Sequence, residues 1–225
     1  MPGNGGSTSV TRSTLRQQIA DALRDEVLAG RLKPGQAFTV KQIADQYGVS
    51  ATPVREALVD LSAQGLLDSD QHRGFKVHQF SVADYRSMVE ARALVVDGAF
   101  RRASGRGTLM DAQAMLSVRR RAEEAARAAR AGDLDILIGY DIRFWRELSQ
   151  IVENPYIIDF LHKLCVQAWV FAVPYLRADP RLRDWLWAGH EDVVHAVARG
   201  DEKSVRAEIR AYNDHALAWA DRLER

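Results

Sequence analysis

Residues 48–67 read GVSATPVREALVDLSAQGLL, and this stretch decides the fold. Ser50, Thr52 and Pro53 crowd the head of an amphipathic run, and Arg55 follows at once. Proline disfavours helical geometry in the residue before it and suits the first helical position. Thr52 is therefore expected to be the N-cap, its hydroxyl accepting from a free backbone N–H of the first turn. Val54, Leu58 and Leu61, with Ala57 beside them, form the stripe expected to be buried, which leaves Arg55, Glu56, Val59 and Asp60 on other faces. Arg55 should point outward from the first turn, although ordering so long a side chain is costly.

The flanking segments say what such an arginine is for. TRSTLRQQIADALRDEVLAG, residues 11–30, places Leu15, Ile19, Leu23, Val27 and Leu28 at helical spacing and stops at Gly30. RLKPGQAFTV reads as a turn and a short extended piece, and VKQIADQYG as a two-turn helix closed by Gly48. After Gly65, two extended runs (66–69 and 75–78) flank a polar turn carrying His72, Arg73 and Gly74. Helix, turn, helix, then hairpin is the order of a winged helix-turn-helix, which sets the start of its second helix against bases in the major groove. An arginine there can make a bidentate contact to guanine O6 and N7, worth about 1–3 kcal/mol of discrimination. Lys41 can reach a phosphate, as can the backbone amides that open the helix. His72 and Arg73 would form the wing.

Charge alone does not single out this role. Residues 1–80 carry nine Lys or Arg against eight Asp or Glu, and the whole chain 31 against 30. An arginine in a first turn is more often a solvated surface residue, so the case rests on the conjunction of Thr-Pro, Arg55 and the basic hairpin tip. The 225 residues, 47% apolar, can form one large domain or two smaller ones. A single cysteine, Cys165 in KLCVQAWVFAV, excludes an internal disulfide or a multi-cysteine metal cluster and reads as core packing. MPGNGGSTSVTRS lacks the apolar run of a secretory signal, so residues 1–11 read as a flexible leader and the protein as cytoplasmic. The most apolar stretch, LCVQAWVFAVPYL, is interrupted by Gln167 and Pro174 and is expected to be too short to span a bilayer.

PGQAFTVKQIADQYGVSATPVREALVDLSAQGLL, continuing to RGFKV, resembles the winged-helix domain of GntR-family transcription regulators. That family's stretch usually reads V-S-R-T-P-V-R-E-A-L. The resemblance implies DNA contacts at Lys41, Ser50, Ala51, Thr52, Arg55 and the wing residues His72, Arg73 and Gly74. Ala51 stands where the family has its first arginine, so one contact is missing and the operator is expected to be altered or more weakly bound.

From Ser81 onward the periodicity is helical throughout, which places a boundary between about 78 and 82: a winged domain over 12–79 and an all-α domain over 81–225. Six helices are expected, over about 81–102, 109–131, 133–152, 155–176, 180–199 and 201 to the end. RRRAEEAARAARAGD in the second reads as a solvated face rather than a nucleic-acid patch. This layout is similar to the FCD domain that follows the winged helix in one large GntR subfamily, and six helices suggest its VanR-like branch. The two resemblances cover residues 12–225. In many FCD domains an Asp and a His four residues later, with two further His, hold a divalent metal that helps bind a small carboxylate. Asp141 and His190 match two of those ligands, but Trp145 and Tyr212 stand at the other two, and His215 falls three residues late. The resemblance therefore implies no cofactor, with a divalent metal on Asp141 and His190 as the alternative.

An apolar cavity with few polar groups is still a normal effector site inside a bundle. Its candidates are Arg92, Asp141, Trp145, His190, Tyr212 and His215, with His162 and His195 behind them. The sequence thus reads as a mainly α protein, a winged helix-turn-helix followed by a six-helix bundle. It would act as a ligand-responsive transcription regulator, a repressor, binding a pseudo-palindromic DNA operator as a homodimer. Two alternatives stand beside it: a metal-dependent enzyme using Asp141, His190 and His215, and a DNA-binding dimer that senses no effector.

Overall fold

A computed structural model of the chain describes residues 14–70, 74–104, 110 and 112–225. The residues read as a leader, the wing residues His72 and Arg73, and most of the Gly-rich break at 104–108 lie outside the described residues. The chain divides into two compact units: residues up to Val27 with Gly35–His78, and Leu28–Pro34 with Gln79–Arg225.

In the first unit, α1 (Leu15–Leu28), α2 (Val40–Tyr47) and α3 (Ala51–Ala63) enclose a core closed by a three-stranded antiparallel sheet. Its strands are β1 (Ala37–Phe38), β2 (Leu67–Asp70) and β3 (Gly74–Val77), in the order β1-β3-β2. The hairpin pairs Leu67 with Val77 and Asp70 with Gly74, so alternate residues face the helices. Phe75 and Val77 are buried, as are Leu23, Leu58 and Leu61 of the helices, while Lys76 between the two strand residues is exposed. This is a winged helix-turn-helix, and Val54, Ala57, Leu58 and Leu61 form the buried stripe of α3 as the periodicity requires.

Two helix starts repay comparison. Thr39 caps α2 in a reciprocal box: its Oγ1 accepts from Gln42 N–H at 3.2 Å, and Gln42 Oε1 accepts from Thr39 N–H at 2.7 Å. At α3 the expectation fails, because Ser50, not Thr52, is the N-cap, and it makes no side-chain capping bond. Ala51, Thr52 and Pro53 are the first three helical residues. Proline is accommodated in the third position because the first four N–H groups of a helix have no intrahelical acceptor, so its missing donor costs nothing there. Gly48, at φ 64°, ends α2 in the left-handed conformation and directs the chain into α3 after two residues.

The second unit holds six α-helices among the described residues: α4 (Val82–Ser104), α5 (Ala112–Ala131), α6 (Leu134–Leu148), α7 (Pro155–Ala178), α8 (His190–Ala198) and α9 (Glu202–Leu223). Ser81 opens α4 as expected, accepting from Asp84 N–H at 3.1 Å while Asp84 accepts from its N–H at 2.8 Å. On α5, Ala122, Ala125, Ala126 and Ala129 are buried to 1% exposure or less, small enough to let α6 approach closely. Arg121, Arg127 and Arg130 of the same helix pair with Glu147, Glu124 and Glu191. Asp133 caps α6 and Asp201 caps α9.

Two expected helices differ from the structure. The segment 133–152 ends its α-helix at Leu148 and tightens into a 3-10 turn, Ser149–Val152. The segment 180–199 is not one helix: a 3-10 turn, Leu182–Trp185, is followed by an extended passage through Leu186 before α8 begins. Gly189 is needed at that corner, because a Cβ there would lie 2.6 Å from the Trp187 ring. The expectation for the apolar stretch also needs correction, since it sits within α7, a 24-residue helix long and apolar enough by length and composition to cross a membrane. One such helix is weak support for a span. In the folded unit α7 is a core helix, with Val166, Val170, Phe171 and Val173 buried.

Gly74 links sequence to packing in the winged unit. It takes φ 96°, and a Cβ would fall 2.6 Å from the Phe38 carbonyl oxygen of the neighbouring strand. Gly74→Ala is expected to destabilise this unit by about 1–3 kcal/mol through strain and clash, measured as a shift in the urea midpoint of the full chain. An unchanged midpoint would contradict this packing.

Candidate DNA interface and helical-domain pocket

In the winged unit the candidate DNA-contacting side chains are presented rather than used internally. Lys41 is the second residue of α2, and Ser50, Ala51, Thr52 and Arg55 surround the start of α3, all of them exposed. Neither Lys41 nor Arg55 makes a hydrogen bond or ion pair with a described residue. By contrast Arg16 pairs with Asp60 at 3.2 Å, and Arg24 bonds Asp21 at 2.7 Å and Gln64 at 3.2 Å. The cations away from the head of α3 thus hold the fold, while the one at its head is left available. Behind it the helix is fixed by Val54, Ala57 and Leu58, each at 0% exposure. Gly74 stands at the base of the wing, where its packing against β1 already requires glycine.

In the helical unit the candidates gather around Asp141, which is 2% exposed on α6. Its Oδ1 accepts from Trp145 Nε1 at 2.9 Å and lies 2.8 Å from His190 Nε2, and its Oδ2 accepts from Trp169 Nε1 at 2.7 Å. Trp145 reaches back one helical turn on α6, Trp169 comes from α7 and His190 from the start of α8. An indole N–H can only donate, so both rings commit the carboxylate to accepting. The Cys165 thiol approaches Oδ2 at 3.8 Å, and burial pushes its pKa well above the usual thiol value, with the Asp141 charge adding to the rise.

A stack of rings continues outward from this carboxylate. Trp145 stacks on Tyr212 with centroids 4.7 Å apart, and Trp187 packs against Tyr212 at 4.8 Å. The Arg92 guanidinium lies over the other participant of that stack, 4.2 Å from the Tyr212 centroid, and its Nε donates to Asn213 Oδ1 at 2.9 Å. Burial pushes the Tyr212 phenol well above its normal pKa and raises Tyr85 to about 12, in each case against the opposing pull of Arg92. Both phenols are therefore neutral across the physiological range.

Arg92, Cys165 and Tyr212 belong to the walls of two adjoining cavities. One, of about 50 Å³, is lined by apolar side chains including Val96, Leu148, Leu161 and Ile209, with His162 and Ser149 among them. The other, of about 60 Å³, is bounded by Asp141, Trp169, Trp185, Trp187 and Trp219. Of the candidates, Arg92, Asp141, Trp145, His190 and Tyr212 come together. His215 borders the second cavity but is held by the Trp185 carbonyl at 3.0 Å. His162 lines the first cavity, and His195 is exposed. Sequence reasoning missed Trp169, Trp187 and Asn213. Asn213 adjoins Tyr212, but Trp169 lies in an apolar run with nothing to set it apart from core.

A divalent metal was the alternative occupant of Asp141 and His190. Both Oδ1 lone pairs are already taken by Trp145 and His190, and Trp145 and Tyr212 supply no ligand atom comparable to imidazole. Among the described residues, no group of three or more His, Cys, Asp or Glu is placed to hold a cation. The residues present do not fit a metal, and the set Asp141, His190 and His215 does not assemble as a catalytic centre.

Comparison with known proteins gives the same division of the chain. Residues 15–77 match the model of bacterial regulatory proteins of the gntR family, and residues 87–215 match the FCD domain. The chain is 29% identical over 195 residues to a Paenarthrobacter nicotinovorans protein named "Probable D-xylose utilization operon transcriptional repressor", covering 87% of this chain and 84% of that one. It is 26% identical over 202 residues to the HTH-type transcriptional repressor RspR of Escherichia coli, covering 89% and 85%. In structure it is similar to E. coli McbR/YncC, with a TM-score of 0.77 at 22% identity over 95% of this chain and all of the other, a likeness of fold.

Two outcomes test this geometry. Asp141→Asn places an amide where N–H donors converge and is expected to destabilise the helical unit by about 1–3 kcal/mol for each donor left unpaired, read from chemical denaturation. A variant as stable as the parent would remove the carboxylate from its central place. Cys165, raised in pKa and buried, should resist alkylation by iodoacetamide at pH 8 in the native protein and react on unfolding, followed by mass spectrometry.

Proposed function

The chain belongs to the gntR family of bacterial regulatory proteins, in the branch that carries an FCD domain, and from this we propose that it is a repressor whose hold on its operator is set by a small effector bound in the helical unit. It is a DNA-binding transcription regulator and not an enzyme. The observation that carries the reading is Arg55, exposed and without a partner among the described residues, at the head of a helix whose opposite face is fully buried. A guanidinium held this way can read guanine O6 and N7, with Lys41, Ser50, Thr52 and the amides of the α3 first turn positioning the helix on phosphates.

The finer features follow as parts of the same proposal. The protein acts in the cytoplasm as a homodimer, so its operator is a pseudo-palindrome whose half-sites repeat the two-fold symmetry of the protein. His72, Arg73 and Gly74 would meet the duplex beside each half-site. Ala51 gives one base or phosphate less to contact than the family's arginine does. The effector lies among Arg92, Asp141, Trp145, His190 and Tyr212 and lowers operator affinity by as much as it prefers the arrangement that does not bind DNA. No metal or other cofactor takes part. That the two cavities are only about 50 and 60 Å³ favours a second reading, a dimer that responds to no effector. A rise in melting temperature with any small metabolite would exclude it.

Arg55→Ala is expected to reduce the preference for operator over unrelated DNA by about 1–3 kcal/mol, with the melting temperature unchanged because Arg55 has no partner among the described residues to lose. Fluorescence anisotropy with DNA from the protein's own promoter region, across a salt series, measures it. Lys41→Ala should instead weaken both DNAs alike and lower the salt slope by about 1. Selectivity untouched by Arg55→Ala would sink the reading.

A further inference from the structure

We propose that the outer face of α3 reads thymine methyl groups on either side of the guanine taken by Arg55, through the side chains of Ala51 and Val59. This rests on the DNA-binding reading above and names a part of the operator that reading leaves open. The starting point is Val59. It is 54% exposed, although Val54, Ala57, Leu58 and Leu61 of the same helix are buried to 1% exposure or less. A β-branched side chain gains nothing from helix propensity, and one left in water contributes no burial to the fold. A polar residue would serve the winged unit better at this position.

Its place on the helix supplies a reason. Residues four apart lie in one row along a helix surface, so Ala51, Arg55 and Val59 form a continuous ridge. All three are exposed, and Arg55 at the centre has no hydrogen bond or ion pair with a described residue. Asp60, the next residue, pairs with Arg16 at 3.2 Å, and Val54 and Leu58 fix the helix behind the ridge. The ridge thus presents a guanidinium between two hydrocarbon groups, a methyl on one side and an isopropyl on the other.

The major groove has one complement to that order. Guanine O6 and N7 accept from a guanidinium, and the C5-methyl of thymine is the apolar group presented on a base edge there. Phosphate oxygens fix the position of a protein through cations and hydrogen-bond donors, and valine offers them neither. Four residues of helix advance about 6 Å and one base pair about 3.4 Å, which puts each methyl within about two base pairs of the guanine. Ala51 gives up a polar contact at the head of α3 and offers an apolar one in its place. Removing each methyl from water strengthens binding by about fourfold.

In the test, full-length protein first selects duplexes from a random-sequence pool. The enriched half-site is then bound by fluorescence anisotropy with each thymine replaced in turn by deoxyuridine, which removes one methyl and keeps every hydrogen-bonding group. Thymines should be enriched on both sides of a guanine, and deoxyuridine at either should weaken binding by about threefold to fivefold. Val59→Ser should erase the loss on one side only and Ala51→Gly on the other only, because a side chain that no longer touches a methyl cannot sense its removal. The proposal is overturned if no thymine flanks the guanine, if deoxyuridine there binds as thymine does, or if the loss persists in either variant. The deoxyuridine comparison needs only the parent protein, so it decides the matter even if a variant does not fold. Arg55→Ala on the same duplexes separates the two readings. A protein that selects no DNA strikes the regulator reading and this inference with it, whereas selection that depends on Arg55 but is indifferent to the methyl groups strikes only this inference.

Discussion

A carboxylate 2% exposed inside a helical bundle is tolerable only when its lone pairs are taken up, and the helical domain is organised around meeting that demand at Asp141. Its acceptors draw Trp145 from the same helix, Trp169 from α7 and His190 from α8 to one point. Three helices are thereby fixed in register by hydrogen bonds that apolar packing, being non-directional, could not specify. The ring of Trp145, held by its N–H, then becomes the floor on which Tyr212 stacks, and Tyr212 in turn supports Arg92. The pocket is in this sense a consequence of satisfying one acid.

The DNA-binding unit solves a different problem. It must expose an unpaired cation while holding the helix beneath it rigid. Every large side chain on the inner face of α3 is buried to 1% exposure or less, and the strands behind are locked by the approach of β1 to Gly74. Arg16 and Arg24 are tied to acids and an amide within the unit, whereas Arg55 and Lys41 have no such partner among the described residues.

Much of the winged unit was legible in the sequence because its signals are local. The stripe of α3, the Gly48 turn and the hairpin are set by residues within a few positions of one another. The error at Thr52 came from applying one rule too strictly: proline is tolerated at any early helical position that lacks an acceptor, not only the first. In the helical unit the number of helices was readable from periodicity, but the break before α8 depends on Trp187 needing room beside Gly189, which no repeat reveals. The site was half visible. Asp141, Trp145, His190, Tyr212 and Arg92 could be named from spacing and resemblance, whereas Trp169 and Asn213 enter through contacts across 28 and 121 residues of chain. That Trp145 acts as a donor to Asp141, rather than as a vacancy in a ligand set, needed the geometry.

The placement of the tryptophans has an optical corollary. All five, at 145, 169, 185, 187 and 219, belong to the helical unit, and four of them border the cavity beside Asp141. Excitation at the red edge of the near-ultraviolet band, where indole absorbs and the phenol of Tyr47 does not, therefore reports that half of the molecule and leaves the winged half dark. Its emission colour and quantum yield form an intrinsic spectroscopic channel for that unit, blind to events confined to the other.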